Sequence, residues 1–229
     1  MIKLSNKDII DVVKYSENGA IIVEKMPLYE EGKYKVNYFV INFETGEKEA
    51  LTKNVYLLKK FGSSYNDICN KINNFVQCDT QILPNKNILA IYPNGEGGIF
   101  DNNGNIIWSG SFSHNDKTVC GIALDGNYFW GYCKEENCVI RYNTENMNVD
   151  LRIGSADAET FVNPCHISAD EKYVYVCCAQ NKVRVIDKTN FVVSDYAVFN
   201  APLCRFYKFG KYSIMCMENA CYLLNDDEK

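Results

Sequence analysis

The sequence predicts an all-β fold, specifically a five-bladed β-propeller of four-stranded antiparallel blades. Three observations favour this fold class. One stretch reads as several short strands in a row, that stretch recurs along the chain at a blade-like period, and five such units consume all 229 residues. A period of about 40–45 residues with four strands per unit is typical of propeller blades.

The clearest of these stretches is Pro164–Val193. It contains Tyr173–Cys178, a run of β-branched and aromatic residues, and then Val183–Ile186, which is apolar apart from one arginine. Between and after these runs come polar turns, of which Asp187–Asn190 consists of residues that hydrogen-bond to their own backbone. Short strands separated by turn signals at this spacing indicate antiparallel meanders.

Internal repeats favour a propeller over a sandwich or a barrel. In three units a cysteine is followed eight residues later by a tyrosine: Cys120 and Tyr128, Cys165 and Tyr173, Cys204 and Tyr212. Two earlier units are more divergent. The predicted third strands end near Phe43, Phe100, Tyr142, Ile186 and Leu224, with spacings of 57, 42, 44 and 38 residues.

The stretch resembles the YVTN-type β-propeller repeat. The residues that carry the resemblance are Pro164, Ile167–Asp170, Tyr173–Val176 and Val183–Asp187. The sequence departs from the repeat at Glu171, where the family has glycine, and at the two cysteines 177 and 178, where it has Thr-Asn. The match is best over residues 160–199 and extends over 118–225. The resemblance implies the fold only, because propeller repeats carry many unrelated activities.

We expect one domain over residues 1–229, with blades at about 8–52, 76–111, 118–154, 163–199 and 202–229. The last unit lacks a fourth strand. The simplest closure of the ring therefore places Met1–Ser5 in that blade as its outer strand, which removes an open edge.

An insertion separates the first two units. Within it Ile68, Ile72 and Phe75 recur at spacings of four and three, which predicts a short amphipathic helix capped by Ser63 or Ser64. We expect its apolar stripe to pack on the propeller, with a partner-binding helix as the alternative.

Composition excludes several classes of function. The net charge of −5 and the lack of a basic cluster beyond Lys59-Lys60 argue against nucleic-acid binding. The first eight residues have no apolar core of signal-peptide length, and no apolar run is long enough to span a membrane. The eleven cysteines are an odd number, so at least one thiol is unpaired if the protein is monomeric. We expect a cytoplasmic monomer whose thiols fill the core. The glycines at 95, 97 and 98 do not form a phosphate loop, and the cysteine spacings do not fit zinc, so no cofactor and no metal is expected.

Four polar residues fall at equivalent positions of the predicted innermost strands, where blades meet near the axis: Lys14, Asp79, His166 and Arg205. The third unit has Gly121 there. Lys14, His166 and Arg205 could form a small anion site, for which arginine is well suited. The favoured interpretation is that Asp79 and these basic residues satisfy one another and plug the pore. The adjacent Cys165 and His166 do not predict a nucleophile pair, because consecutive strand residues face opposite sides.

A second candidate region is the face on which the long loops between blades emerge. The residues expected there include Phe112, His114, Asp116 and Phe161. Loops on a rigid scaffold are where binding residues concentrate.

Two functions remain open. The first is a non-catalytic binding or scaffold propeller that uses its loop-rich face for a protein or a small ligand, with no catalytic residue. The alternative is a hydrolase or lyase acting on a carbohydrate or a small anionic substrate at the axial pocket. That reaction would need an acid and a base converging near the axis, and only Asp79 and His166 are candidates.

Overall fold

The computed structural model describes residues 1–27, 34–62 and 78–228. The chain divides into two compact units, which are treated separately below. The terminal unit comprises Met1–Ser63 and Tyr207–Lys229, and the central unit comprises Ser64–Phe206. No helix in the described ranges is long and apolar enough to cross a membrane.

The strands group into five antiparallel sheets, and each sheet is one blade. Blade 1 contains β2 (Asp8–Ser16), β3 (Gly19–Pro27), β4 (Tyr34–Asn42) and β5 (Lys48–Leu51). Blade 2 contains β6 (Asp79–Ile82), β7 (Ile88–Ile91), β8 (Glu96–Phe100) and β9 (Ile106–Ser111). Blade 3 contains β10 (Ser113–His114), β11 (Lys117–Asp125), β12 (Tyr128–Cys133), β13 (Cys138–Asn143) and β14 (Val149–Gly154). Blade 4 contains β15 (His166–Ala169), β16 (Tyr173–Cys178), β17 (Lys182–Asp187) and β18 (Val193–Val198). Blade 5 contains β1 (Ile2–Ser5), β19 (Leu203–Phe209), β20 (Tyr212–Met217) and β21 (Ala220–Asn225), and a short 3₁₀ turn follows at Asp226–Glu228.

This strand order confirms the predicted fold class, a five-bladed β-propeller. The predicted role of the N-terminal strand is also confirmed. β1 pairs antiparallel with β21, with Ile2 opposite Leu223 and Lys3 opposite Tyr222. Blade 5 is therefore completed by a strand from the other end of the chain.

A repeated turn marks the end of the third strand in every blade. An Asn or Asp side-chain oxygen accepts a backbone N–H from the residue two positions later, which is the Asx turn that these residue types favour. The five residues are Asn42, Asp101, Asn143, Asp187 and Asn225. The residue before the turn in blade 1 is thus Ile41, two positions earlier than the predicted Phe43.

One helix, α1 (Lys53–Phe61), follows blade 1. Thr52 caps its N-terminus by accepting the N–H of Val55, and Tyr56, Leu57 and Phe61 are buried. The helix is held to β2 because Asp11 accepts from the hydroxyl of Tyr56 at 2.7 Å and pairs with Lys60 at 2.5 Å. The helix predicted around Ile68, Ile72 and Phe75 lies outside the described residues.

Apolar side chains between neighbouring blades form the cores. In the terminal unit the core is built from blades 1 and 5 and includes Leu4, Ile22, Phe43 and Ile214. In the central unit one cluster joins blades 2 and 3, and a second joins blades 3 and 4. Of the ten described cysteines none is in a disulfide and seven are buried, which agrees with cysteine as a small core residue.

Candidate functional site

Three of the four predicted axial residues lie in the central unit. Asp79 and His166 begin the innermost strands of blades 2 and 4, and Arg205 is the third residue of β19. Lys14 lies in the terminal unit, where its ammonium group is 2.9 Å from Glu17 on an exposed turn. That Lys14 belongs with the other three stays a prediction.

Asp79 and Arg205 form a long ion pair. The Nη1 atom of Arg205 is 4.0 Å from Oδ1 of Asp79, and their side chains are 28% and 46% exposed. A pair this long and this exposed contributes little to stability. The two opposite charges nevertheless lie close together, so each weakens the attraction that the other exerts on a free anion or cation.

His166 is buried between β15 and β19. Its Nδ1 atom accepts the backbone N–H of Phe206 at 3.4 Å, which assigns the ring proton of the neutral tautomer to Nε2. Burial, and secondly the nearby charge of Arg205, hold the pKa of His166 well below its usual value. Ser168 donates to the carbonyl of Phe206 at 2.6 Å. His166 therefore ties two strands together and is shielded from solvent.

The remaining groups near Asp79 and Arg205 are thiols and a phenol. Among the ten described cysteines only Cys120, Cys165 and Cys204 are partly exposed. The Cys120 sulfur contacts the carbonyl of Pro93 at 3.5 Å, and the Cys165 sulfur contacts the carbonyl of Leu203 at 3.4 Å. We name Asp79, Cys120, Tyr132, Cys165, Cys204 and Arg205 the axial mouth.

Cys120, Cys165 and Tyr132 of the axial mouth are kept in their neutral forms. Burial, followed by the charge of Asp79, raises the pKa of Cys120 to about 11. Burial and then Cys204 raise the pKa of Cys165 to about 11, although Lys134 and Arg205 oppose the shift. Burial also raises the pKa of Tyr132. At neutral pH most of these groups keep their protons and can donate hydrogen bonds, and only a small fraction of the thiols is the nucleophilic thiolate.

The ring of Tyr132 occupies its place because residue 121 is a glycine. Gly121 has a φ of +77°, and a Cβ atom there would come within 2.7 Å of the Tyr132 ring and 2.8 Å of Ile167. The register of β11 against β12 shifts at this point. The comparison of equivalent positions in the sequence pointed to Gly121, but it did not point to Tyr132, whose ring needs the space that this glycine leaves.

The predicted loop-rich binding face stays a prediction, and two of its residues lie together in blade 3. His114 and Asp116 lie on the β10–β11 hairpin, whose turn residues Asn115 and Asp116 both have left-handed φ values. The Nε2 atom of His114 accepts from the Arg152 guanidinium at 2.5 Å, since arginine only donates. Asn115 donates to Glu136 at 3.0 Å, so the hairpin is tied to the β12–β13 turn.

Phe112 and Phe161 do not lie on that face, and their placement there was wrong. They are 3% and 0% exposed. Phe112 packs edge-on against Phe129 and Tyr142, with ring centres 5.5 and 5.2 Å apart. Phe161 belongs to the cluster between blades 3 and 4. The connections between blades run close to the cores, so burial of their aromatic rings is more favourable than exposure.

Three cavities bordered by described residues lie away from the axial mouth. A small cavity of about 50 Å³ lies between the β14–β15 connection and the β16–β17 turn, lined by residues such as Glu159, Gln180 and Arg184. The terminal unit carries two wider surface grooves of about 520 and 370 Å³, both bordered by Lys48. Within the described residues no three His, Cys, Asp or Glu side chains are grouped to hold a metal ion.

Comparison with known proteins supports the fold. No protein-family model and no curated protein sequence matches the chain. The chain is similar to the WD40 beta propeller domain of Doa1, with 10% sequence identity and a TM-score of 0.59 over 97% of this chain and 94% of that chain. It is also similar to the computationally designed Ika4 protein, with 9% identity and a TM-score of 0.47 over 61% of this chain and 84% of that chain. The YVTN type of repeat stays a prediction, and the likeness to the WD40 domain shows that this chain has the β-propeller fold.

Proposed function

We propose that this protein is a non-catalytic binding propeller, and that the axial mouth with the adjoining β10–β11 hairpin receives an extended segment of a partner protein or a small ligand. One observation carries the proposal. The groups of the axial mouth are partly exposed, yet each is neutral or paired, so they can donate and accept hydrogen bonds without acting as an acid–base pair.

The state of the two catalytic candidates argues against the alternative hydrolase or lyase. His166 is 8% exposed, and its Nδ1 atom accepts a backbone N–H. The carboxylate of Asp79 is paired with Arg205 at 4.0 Å. A general acid or base must come within hydrogen-bond reach of substrate, and the burial of His166 opposes that.

The hairpin adds a rigid polar surface to the mouth. The contacts of His114 with Arg152 and of Asn115 with Glu136 hold its side chains in place before any ligand arrives. Side chains that are already ordered lose less conformational entropy on binding. Asp116 and Lys117 at the tip are exposed and can form the outer contacts.

Selection of a phage-displayed library of random linear peptides tests the proposal. We expect wild-type protein to enrich peptides whose affinity falls about tenfold, or about 1.4 kcal/mol, in Arg205→Gln. The matched control is Val149→Lys, which changes an outer-strand residue that is 55% exposed and should leave affinity unchanged. Selected peptides that bind Arg205→Gln as tightly as the wild-type protein would contradict the proposed site. Turnover of chromogenic glycosides or esters that is lost in Asp79→Asn would favour the enzyme.

Three further expectations stay proposals. The chain is proposed to be one domain, to be monomeric, and to work in the cytosol, where its many reduced thiols are stable. The net charge of −5 makes a protein or small-molecule partner a better candidate than nucleic acid.

A further inference from the structure

The partly exposed cysteines of the central unit are not scattered. Cys165 directly precedes β15, and Cys204 is the second residue of β19, the innermost strand of the next blade. The Cys165 sulfur lies 3.4 Å from the carbonyl oxygen of Leu203 and 4.0 Å from that of Cys204 itself. The side chain of Cys165 is therefore directed at the backbone of Cys204 on the innermost strand of the next blade.

The approach of these two cysteines is fixed by the strands that carry them. One residue beyond Cys165, the ring of His166 accepts the N–H of Phe206, and Ser168 donates to the carbonyl of the same residue. These two contacts hold β15 alongside β19. A disulfide between the two residues then requires rotation about their side-chain bonds and a Cα–Cα distance of roughly 4.4–6.8 Å.

We propose that Cys165 and Cys204 form a thiol–disulfide exchange site at the axial mouth, whose co-reactant is a small-molecule disulfide of the glutathione disulfide class. The thiolate of one cysteine attacks a sulfur of the co-reactant, forms a mixed disulfide and expels one thiolate, which takes up a proton. The second cysteine then loses its proton and attacks the protein sulfur of the mixed disulfide, which expels the other thiolate. Two protein thiols are oxidised by two electrons, and one disulfide is reduced to two thiols.

The surroundings of Cys165 set the rate of this exchange. Lys134 and Arg205 favour its thiolate, but burial and the neighbouring Cys204 outweigh them, so most molecules carry the thiol at neutral pH. The thiolate is the attacking species. The site should therefore equilibrate over minutes to hours, which is the ordinary range for uncatalysed disulfide rearrangement.

Two other cysteine pairs provide an internal comparison. Cys216 and Cys221 are opposite each other in β20 and β21, with their sulfurs 3.7 Å apart, and Cys133 and Cys138 are opposite each other in β12 and β13. All four side chains are at most 1% exposed. If the distance between the sulfurs alone determined which cysteines form a disulfide, these pairs would be oxidised first. Because a co-reactant must reach the sulfur, access favours Cys165 and Cys204.

A bond between these two cysteines would alter the axial mouth. It would remove two hydrogen-bond donors beside Arg205 and fix the seam between the two blades. This regulatory consequence rests on the proposed function, whereas formation of the bond does not.

The test is to equilibrate the full chain in oxidised and reduced glutathione at mildly alkaline pH, block remaining thiols with N-ethylmaleimide and digest with trypsin. Cleavage after Arg152, Lys172, Lys188 and Arg205 leaves Cys165 and Cys204 as the single cysteines of peptides 153–172 and 189–205. We expect these peptides to be joined, with a mass two hydrogens below their sum. We also expect Cys165→Ser to leave Cys204 carrying glutathione, and the reverse for Cys204→Ser.

The outcomes separate the two proposals. Oxidation confined to Cys216–Cys221 or Cys133–Cys138, or full alkylation of Cys165 and Cys204, would overturn the exchange site whatever the protein binds. If the bond forms and the selected peptides bind the oxidised protein about tenfold more weakly, the regulatory role is supported. If the bond forms and their binding is unchanged, the exchange site stands, and the role of the axial mouth in binding is overturned.

Discussion

Replacing Arg141 by methionine should destabilise the central unit more than any comparable change to a surface arginine. The guanidinium carbon of Arg141 lies 4.4 Å from the ring centre of Tyr128, 4.5 Å from that of Phe191 and 5.4 Å from that of Trp130. Its Nε and Nη2 atoms both donate to Oδ2 of Asp150, at 2.7 and 2.5 Å. The side chain is only 14% exposed. One arginine thus joins three rings and a carboxylate, and Phe191 comes from the next blade.

The expected loss of stability follows from these contacts. Each cation–π contact with the two nearer rings contributes about 0.5–1 kcal/mol, and charge-assisted hydrogen bonds add about 1.5 kcal/mol. Methionine recovers part of the burial through its flexible apolar chain. We therefore expect a cost of about 2–3 kcal/mol. At about 2–4 °C per kcal/mol for a chain of this size, the melting temperature should fall by about 4–12 °C.

Urea unfolding followed by tryptophan fluorescence measures this cost, since Trp130 is one of the three rings. The control is Arg184→Met. Arg184 is similarly buried, at 20% exposed, but its ion-pair partner Asp195 is 54% exposed, so its loss should cost less than about 1 kcal/mol. Equal losses for the two variants would refute the argument that the ring contacts stabilise the seam between blades 3 and 4.

Three further predictions concern pH, backbone conformation and closure of the last blade. The pKa of His166 in the folded protein lies well below the ordinary histidine value of about 6.5, so the unfolded chain binds more protons below that pH. The free energy of unfolding should therefore fall by about 1.4 kcal/mol per pH unit as the pH drops below about 6.5, and His166→Asn should flatten this slope in urea titrations between about pH 6.5 and 5. Gly121→Ala places a Cβ atom 2.7 Å from a ring at a position with positive φ, so it should lower the free energy of unfolding by at least about 2 kcal/mol. Gly126→Ala, where no atom lies within 4 Å of the added Cβ, should lower it by about 1 kcal/mol. Similar shifts in melting temperature for the two variants would contradict the steric argument. Leu4→Ala should lower the free energy of unfolding by about 2–5 kcal/mol because Leu4 is 0% exposed. Ile2→Ala, at a residue that is 41% exposed, should lower it by less than about 1 kcal/mol. Calorimetry that finds the larger loss for Ile2→Ala would refute the contribution of the N-terminal strand to the core.

The fold could be predicted because its signals are local and repeated. Each blade ends its third strand with an Asn or Asp whose side chain hydrogen-bonds to the nearby backbone, so this turn can be recognised from the residue at a single position. The end of the third strand of blade 1 was predicted two residues too late because Phe43 is as apolar as a strand residue. Its side chain packs instead against Phe209 and Tyr212 of blade 5, which is a contact between residues far apart in the sequence.

The candidate site was less predictable, since it depends on which way side chains point. Phe112 and Phe161 look like loop aromatics in the sequence, but residues of other strands bury them. Tyr132 gave no signal of its own, because an aromatic residue in a strand is usually a packing residue. The thiols were visible only as markers of the repeat. That three of them are also the partly exposed cysteines of the described chain depends on how neighbouring strands cover the other seven.

The pairing of β1 with β21 has a consequence for how the chain acquires its structure. Residue 2 lies opposite residue 223, so this sheet brings together segments from opposite ends of the sequence. On a ribosome, β1 is made before β21, so Leu4 has no partner in β21 until that later strand has been made. Blade 5 must then be the last blade completed during synthesis, and a chain cut short before β21 would leave the apolar side of β1 open to chaperones and proteases. Completion of this sheet thus requires that translation has passed β21.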